Sequence, residues 1–410
     1  MYLFMAQQND FTVLHKQVFG DSVINLVPSF AKLSKLITFK KEKQTGRYFE
    51  QPVQVSLEHG FSYTNNSVVT LSTEVAAGFL EAQVDGKEII LQTAVPHLQA
   101  AKMTSSSRAF AKAATIIYES MLASAHKRLE VGILYGQSAE GIGIVLSNTA
   151  GALVLSVASW STGIWSGMKN AVLEAFAPAG GAQRNGDLVI TDVNVSARQI
   201  TVSGTSAAVA AGDVLFFKGA RAGDMVGLEK IITNTGTLYN ISAATEELWK
   251  GNTYSAGSAA LNASKILAAA AVAAGRGCAE EMVAIVSNST FGNLAADAAA
   301  LRVYDGPGKP SGENGADELA FYGPSGKVKV VAHMFCKDGE AFIFPEKHVS
   351  RIGSSDIEFS IPGAGPQEGE MNLWFVDPST NSQKIRLYSH QTVFVDMPAF
   401  CTKITNIVNS

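Results

Sequence analysis

The stretch from Thr104 to Val131 constrains the fold more than any other part of the sequence. Its apolar residues recur at steps of three and four, which places them in one stripe along a single helix: Phe110, Ala114, Ile117, Met121, Ala125 and Leu129. Thr104 is a suitable N-cap, and Gly132 is a suitable residue to end the helix. At a rise of about 1.5 Å per residue this helix would be roughly 40 Å long, well beyond the mean helix of a globular domain. A strut that connects two lobes would explain such a length.

The composition describes a folded protein with room for more than one core. The chain has 410 residues, of which 47% are hydrophobic and 17% are charged. Its mean hydropathy of +0.13 is high for a soluble monomer of this size and indicates surface that is buried against partner subunits. The net charge of -4 argues against a protein that binds nucleic acid by neutralising phosphates.

One segment, from Gly141 to Met168, contains no charged residue and is long enough to span a bilayer. Ser, Thr, Asn and Gly interrupt its apolar residues, however, and no basic flank sets an orientation. We therefore predict a buried segment of a folded domain and no membrane partner.

The sequence offers no recognisable catalytic or metal-binding constellation. Cys278, Cys336 and Cys401 stand far apart without a Cys-x-x-Cys spacing, which argues against a disulfide framework or a structural zinc site and favours a reducing compartment. His-Glu-x-x-His, phosphate-loop, Gly-x-Ser-x-Gly and dinucleotide motifs are missing from the sequence. We predict a protein that is not an enzyme, with no catalytic, cofactor-binding or metal-binding residues and no cofactor.

The chain before the long helix has the alternation of strands. Between Arg47 and Val75, two runs alternate apolar and polar residues around a turn near Thr64 to Asn66, which predicts a long two-stranded excursion. An isolated hairpin is marginal in water, so this one must lie on something, and another subunit is a candidate. Asp85-Gly86 predicts a second, tight hairpin that leads into a strand from Ile89 to Val95.

After the long helix the pattern changes several times. A small helix is predicted from Met168 to Phe176, and three strand-like runs from Asn185 to Gly219 predict a compact β insertion. The residues from Ser258 to Tyr304 read as helix, buried strand and helix, which is typical of an α/β lobe.

The last part of the chain is rich in strands. An irregular, exposed loop is predicted from Gly306 to Asp317, where Gly and Pro are frequent. Asp338-Gly339 predicts a third hairpin, and the tail from Arg351 to Val408 is dominated by strands.

The order of these parts resembles the major capsid protein of tailed bacteriophages, which has the Hong Kong 97 fold. Individual stretches are also similar to sequences of that family, namely KQTGRYFEQPVQVSLEHGFSY, GDVLFFKG, MVGLEKIITNTGTLYNI, LWKGN and FCTKITNI. The resemblance covers most of the chain and rests on texture and order rather than on catalytic motifs.

The resemblance implies an α+β fold with an N-terminal arm, an extended β loop, a long spine helix, and peripheral and axial domains. It assigns 1–45 to the arm, 46–76 to the extended loop, 77–135 to the peripheral domain with the spine helix, 136–332 to the axial domain with the β insertion at 185–219, and 333–410 to the return strands of the peripheral domain. The extended loop would lie on the neighbouring subunit. The candidate inter-subunit contacts are Arg47, Tyr48, Phe49, Glu58, Phe61 and Tyr63.

The function that the resemblance implies is self-assembly into the hexamers and pentamers of an icosahedral phage head around double-stranded DNA. The protein would be assembled in the host cytoplasm and located in the virion. A portal and a cement protein are candidate further partners, and a separate scaffolding protein, or none, is expected. Some members of the fold join a lysine of the extended loop covalently to a neighbour. Here no lysine occurs between Lys43 and Lys87, so we predict a shell without covalent cross-links.

Two alternatives differ in function. An encapsulin, a bacterial compartment shell of the same fold, would enclose a cargo enzyme rather than DNA. A cytoplasmic α+β hydrolase would assemble a Ser-His-carboxylate triad from distant residues and would be a discrete monomer or dimer.

Overall fold

The computed structural model describes residues 31–40, 46–65, 69–96, 107–178, 180–184, 186–296, 319–359, 374–376 and 379–409. Several predicted features lie outside these residues: the arm up to residue 30, the turn residue Asn66, the N-cap Thr104 and the loop from Gly306 to Asp317. Helices and strands are mixed along the described chain, which confirms the α+β class.

The helices have very different lengths. They are α1 Leu33–Leu36, α2 Ser107–Tyr135, α3 Thr162–Trp165, α4 Ala220–Gly223, α5 Leu228–Ile232, α6 Ala263–Gly275 and α7 Asn288–Ala296. No helix of the described residues is long and apolar enough to cross a membrane.

The strands are β1 Phe39–Lys40, β2 Phe49–Gln54, β3 Phe79–Val84, β4 Lys87–Pro96, β5 Gly143–Thr149, β6 Ala152–Leu155, β7 Val172–Phe176, β8 Leu188–Asn194, β9 Gln199–Ser203, β10 Val214–Phe217, β11 Thr237–Leu238, β12 Ile241–Ser242, β13 Asn252–Ala259, β14 Met282–Val286, β15 Leu319–Gly323, β16 Gly326–Ala332, β17 Ala341–Phe344, β18 Val349–Glu358, β19 Trp374–Val376, β20 Ser382–Val395 and β21 Thr402–Ile407. They form two larger sheets, one barrel and two small ribbons.

The predicted long helix is confirmed as α2, which has 29 residues and is therefore about 43 Å long. Met121 packs in one cluster with Ile385 and Leu387 of β20, so the described middle part of the apolar stripe, with Ile117 and Ala125, faces a sheet. The prediction that Gly132 ends the helix is wrong. The helix continues to Tyr135, and Gly132 lies within it. Gly132 is at a close approach between segments, since a Cβ there would stand 3.2 Å from Asp224 Oδ1.

A five-stranded sheet supports the middle of α2. Its order is β1-β18-β20-β19, and β4 also pairs with β20. Ten residue pairs join β4 antiparallel to β20, from Lys87 opposite Gln391 to Pro96 opposite Ser382. The strand predicted from Ile89 to Val95 is therefore confirmed, and its partner comes from the tail of the chain.

A six-stranded sheet lies beside the end of α2, in the order β13-β21-β17-β14-β16-β15. The predicted helix, strand and helix of this region are confirmed as α6, β14 and α7. All residues of β14 are buried, since one face packs with α6 and the other joins the core around α2. The last part of the chain supplies β18 to β20 to the five-stranded sheet and β17 and β21 to this one.

A closed barrel of β10, β5, β6, β9, β8 and β7 follows α2. The uncharged segment supplies β5 and β6, and its prediction as a buried segment is confirmed by Leu153, Leu155 and Trp165, which have no exposed surface. The predicted strands of the insertion are β8, β9 and β10, and the barrel also includes the three strands before them. The helix predicted from Met168 to Phe176 is wrong, because β7 pairs with β8 and β10 there.

Neither Asp-Gly pair forms the hairpin predicted for it. Gly86 lies between β3 and β4, which belong to different sheets: β3 pairs in the ribbon with β2, and β4 pairs in the five-stranded sheet. Gly339 lies between β16 and β17, which do not pair with each other because β14 is inserted between them in the six-stranded sheet. Each glycine instead permits a close approach: a Cβ on Gly86 would stand 2.5 Å from the ring of His390, and one on Gly339 would stand 2.6 Å from the Cα of Ala158. At Gly339, where the neighbour is backbone, glycine is required for contact with a distant segment rather than for a tight turn.

Candidate functional site

Residues 55–78, which connect β2 to β3 and are called the distal segment below, expose many apolar side chains. Tyr63 is 90% exposed, Leu71 is 80% exposed, and Leu57 and Phe61 are each 67% exposed. None of its described residues is buried, and none lies in a helix or strand. This concentration of exposed apolar side chains makes the segment a candidate interaction site.

The two arms of the distal segment run antiparallel and are joined by a small number of hydrogen bonds. The amide of Val55 donates to the carbonyl of Gly78 at 2.9 Å, and that of His59 donates to Val75 at 3.1 Å. Further out, the Ser72 amide donates to Ser62 Oγ at 2.7 Å. These bonds keep the segment extended, and no described residue of the chain buries its apolar side chains.

The distal segment is attached to the rest of the chain through a buried apolar cluster, which is called the root cluster below. It consists of Phe49, Val53, Ala82, Val84, Tyr239, Ile241, Ala243, Trp249, Ile352 and Phe394. Its members come from β2 and β3, from the β11-β12 ribbon and the residues after it, and from the five-stranded sheet. The root cluster packs the base of the excursion against the β11-β12 ribbon and the five-stranded sheet.

The six predicted contact residues divide between the two ends of the excursion. Glu58, Phe61 and Tyr63 lie in the exposed distal segment, where the rings of Phe61 and Tyr63 are 6.4 Å apart. Phe49 lies in the root cluster, with its ring 5.9 Å from that of Phe394, and thus packs on its own chain. The remaining two stack on each other, with the Arg47 guanidinium 5.0 Å from the Tyr48 ring centre.

Sequence reasoning missed several exposed apolar residues of the same surface: Leu57, Val69, Leu71, Val75, Phe79 and Leu80. Their signal was present, because apolar residues alternated through a hairpin for which no core could be found in the sequence. The segment also contains Glu58 and Glu74 but no lysine or arginine. The surface is therefore apolar and weakly acidic.

The comparisons with known proteins place this geometry in a fold. No protein-family model matches the chain, and no curated protein sequence does. Among solved structures, the chain is similar to one in the capsid asymmetric unit of cyanophage A-1(L), with 11% identity, a TM-score of 0.59, and coverage of 97% of this chain and 98% of that chain. This chain has the Hong Kong 97 capsid fold.

A second similar structure is the capsid of an empty GTA particle, with 8% identity, a TM-score of 0.48 and coverage of 97% of both chains. The fold assignment rests on the cyanophage structure. We call α2 the spine helix, and the β2-β3 excursion with its distal segment the extended loop, after the parts that the resemblance to this fold predicts.

A buried ionic cluster lies at the end of the spine helix of this Hong Kong 97 fold. Lys403 Nζ lies 2.5 Å from Glu229, 2.7 Å from Glu340 and 3.2 Å from Glu140. Lys337 Nζ lies 3.1 Å from Glu340 and 3.7 Å from Glu229. The three carboxylates are close enough to share a metal ion, but both ammonium groups already occupy that space. The cluster therefore joins elements rather than forming a site.

The two buried carboxylates of this cluster have opposite shifts. Burial alone would raise the pKa of Glu229, but attraction to Lys337 and Lys403 outweighs it and lowers that pKa to about 2. Burial and the neighbouring Glu229 charge raise the pKa of Glu340 above its ordinary value.

The described residues of the N-terminal arm include α1, and side chains of the spine helix and of β18 bind the start and the end of this helix. Glu130 of the spine helix accepts the amides of Leu33 and Ser34 at 2.9 and 2.8 Å, and His333 contacts the same carboxylate at 2.9 Å. Burial would raise the pKa of Glu130, but the hydrogen bonds of His333 and Ser34 lower it. Arg351 of β18 donates to the carbonyls of Ile37 and Ser34 at 2.9 and 3.0 Å.

Proposed function

We propose that this chain is a major capsid protein that self-assembles into hexamers and pentamers of an icosahedral phage head. The observation that carries the proposal is the distal segment: a chain with the Hong Kong 97 fold presents an apolar surface that none of its described residues covers. A second copy of the same chain supplies the cover, and repetition of one contact around closed symmetry axes builds the shell. Arg47, Tyr48, Glu58, Phe61 and Tyr63 are the proposed contacts, with Phe49 fixing their base.

The finer parts of the proposal rest on the resemblance to capsid proteins of tailed bacteriophages. The shell encloses double-stranded DNA in the virion after assembly in the host cytoplasm, with a scaffolding protein, a portal and a cement protein as partners. The barrel and the six-stranded sheet belong to the axial domain, and the five-stranded sheet with the spine helix belongs to the peripheral domain. The protein has no enzymatic role in this proposal.

The test is assembly of the purified protein, measured by light scattering and electron microscopy. The double variant Phe61→Ser, Tyr63→Ser should remain folded by circular dichroism but should fail to form rings or shells, because it loses two exposed apolar anchors. Tyr322→Ser is the matched control, since Tyr322 is 79% exposed but lies on β15 of another sheet. Assembly of the double variant at the wild-type concentration would contradict the proposal.

The contents of particles purified from infected or expressing cells distinguish a phage head from an encapsulin shell. Nuclease-protected DNA in mature particles supports the phage head, whereas an enclosed cargo enzyme without DNA supports an encapsulin. A stable monomer with a serine-reactive site would support a hydrolase instead.

A further inference from the structure

Tyr239 adopts a backbone conformation that aromatic residues rarely take. It forms, together with Asn240, the two-residue loop between β11 and β12, and the φ angles of the two residues are 52° and 66°. Tight hairpin loops with positive φ at both positions favour Asn-Gly, Asp-Gly and Gly-Gly. A bulky residue with positive φ is strained, and such strain persists only where the surrounding contacts fix it. The strain at Tyr239 therefore calls for a function.

Three groups of Tyr239 hold the base of the extended loop. Its carbonyl oxygen accepts the amide of Gln83 in β3 at 3.0 Å. Its hydroxyl donates to the carbonyl of Val393 in β20. Its ring packs edge-on against Phe394 at 5.8 Å, and Phe394 contacts Phe49 of β2 at 5.9 Å. One residue thus contacts the loop and the five-stranded sheet together.

Strand pairing to a larger sheet does not fix the direction of the loop in the described part of the chain. Among the described strands, β2 and β3 pair only with each other, so no ladder joins them to a larger sheet. A two-stranded ribbon gains its order from what it packs on. The Trp249 indole also contacts the loop between β11 and β12, since its Nε1 donates to the carbonyl of Leu238 at 3.1 Å.

We propose that Tyr239 is a positioning residue that sets the angle at which the extended loop leaves its own subunit and meets a second copy of this chain. A loop that is already aimed loses less freedom when it binds, and the assembly contact is correspondingly stronger. This inference rests on the proposed assembly function, but it concerns the geometry of the loop rather than the contact at its tip.

The direct test is the distance between spin labels in the unassembled protein. Labels are placed on cysteines introduced at the exposed residues Glu74, in the distal segment, and Ser354, in β18, while the native cysteines are buried. The wild type should give a narrow distance distribution. Tyr239→Asn tolerates positive φ but lacks the ring and the hydroxyl, so it should broaden or shift the distribution. Asn240→Gly, which suits the same turn and keeps Tyr239, is the control and should leave it unchanged.

The second measurement is the critical concentration for assembly. It should rise by about tenfold in Tyr239→Asn. Tyr239→Phe, which keeps the ring and loses only the hydroxyl, should lie between the variant and the wild type. Thermal unfolding of each variant accompanies the measurement, because a purely structural role would lower the melting temperature without a change of loop direction in the folded molecules.

The outcomes separate the two proposals. An unchanged distance distribution in both Tyr239 variants overturns the positioning role, whatever happens to the loop tip. Assembly of the Phe61 and Tyr63 double variant overturns the assembly contact, even if Tyr239 is found to aim the loop. Broadened distances with a raised critical concentration support both.

Discussion

Gly339 illustrates how one residue can be determined by a distant part of the chain. Its amide donates to the carbonyl of Ala158 at 2.9 Å, and a Cβ would stand 2.6 Å from the Cα and 2.7 Å from the carbonyl oxygen of that residue. Backbone atoms cannot rotate away as the end of a side chain can. The contact therefore requires glycine at this position.

We expect Gly339→Ala to lower the free energy of unfolding by about 1–3 kcal/mol, the usual cost of forcing atoms into a packed region. Gly236→Ala is the control, because no atom lies within 4 Å of its added Cβ. Denaturant unfolding of the unassembled protein measures both. Equal free energies of unfolding for the two variants would show that the backbone at Ala158 can shift to accept the added Cβ without loss of stability.

Glu229 should make stability depend on pH in acid. Its folded pKa of about 2 lies below the ordinary value of 4.5, so its contribution is present above about pH 4.5 and is lost as the pH falls toward 2. Glu340 acts in the opposite direction, because its raised pKa favours the folded state when the pH falls. A single variant is needed to separate the two.

Glu229→Gln should be about 3–5 kcal/mol less stable than the wild type at neutral pH, because it leaves Lys337 and Lys403 with too little negative charge. The difference between the two proteins should shrink as the pH falls below 4.5. Thermal unfolding across this range checks it, with Glu247→Gln at an exposed pair as the control. A difference that is constant with pH would contradict the ionised state of Glu229.

At the scale of elements, α1 is too short to be stable by itself and depends on the residues at its two ends. Glu130 binds the free amides of its first turn, and Arg351 binds carbonyls at its last turn. The parallel pairing of β1 with β18 continues the attachment. The described end of the arm is thus held by the spine helix and the five-stranded sheet together.

We expect Arg351→Lys to release this attachment, because lysine keeps the charge but cannot form the forked set of hydrogen bonds. Hydrogen exchange at the amides of Leu36 and Ile37 should become about tenfold faster or more, while that of β14 stays slow. Arg386→Lys on the exposed part of β20 serves as the matched control. Unchanged exchange in Arg351→Lys would mean that the Glu130 contacts suffice.

For the whole molecule, the extended loop has no lysine with which to form a covalent bond to a neighbour. We expect assembled particles to dissociate in denaturant and to migrate on a gel as one band at the chain mass of 43.3 kDa. Particles treated with an amine-reactive cross-linker before loading should give a ladder, which confirms that assembled material was applied. A ladder from untreated particles would disprove non-covalent assembly.

The sequence by itself determined the types of the main elements. The spacing of Ile117, Met121 and Leu129 predicted α2, and the alternation and apolar runs of β8, β14 and β20 predicted strands, because periodicity reports which side of an element is buried. It also predicted an excursion without a core, which became the candidate site.

The tertiary structure alone decided which strands pair and how the loop is aimed. Asp-Gly has the same local preference in a hairpin and at a close approach, so Gly86 and Gly339 were assigned the wrong role. The role of Tyr239 depends on Gln83, Val393 and Phe394, each of which lies more than 150 positions from it in the chain. Contacts over such separations leave no periodic signal in the sequence, because each depends on where the whole chain brings its segments together.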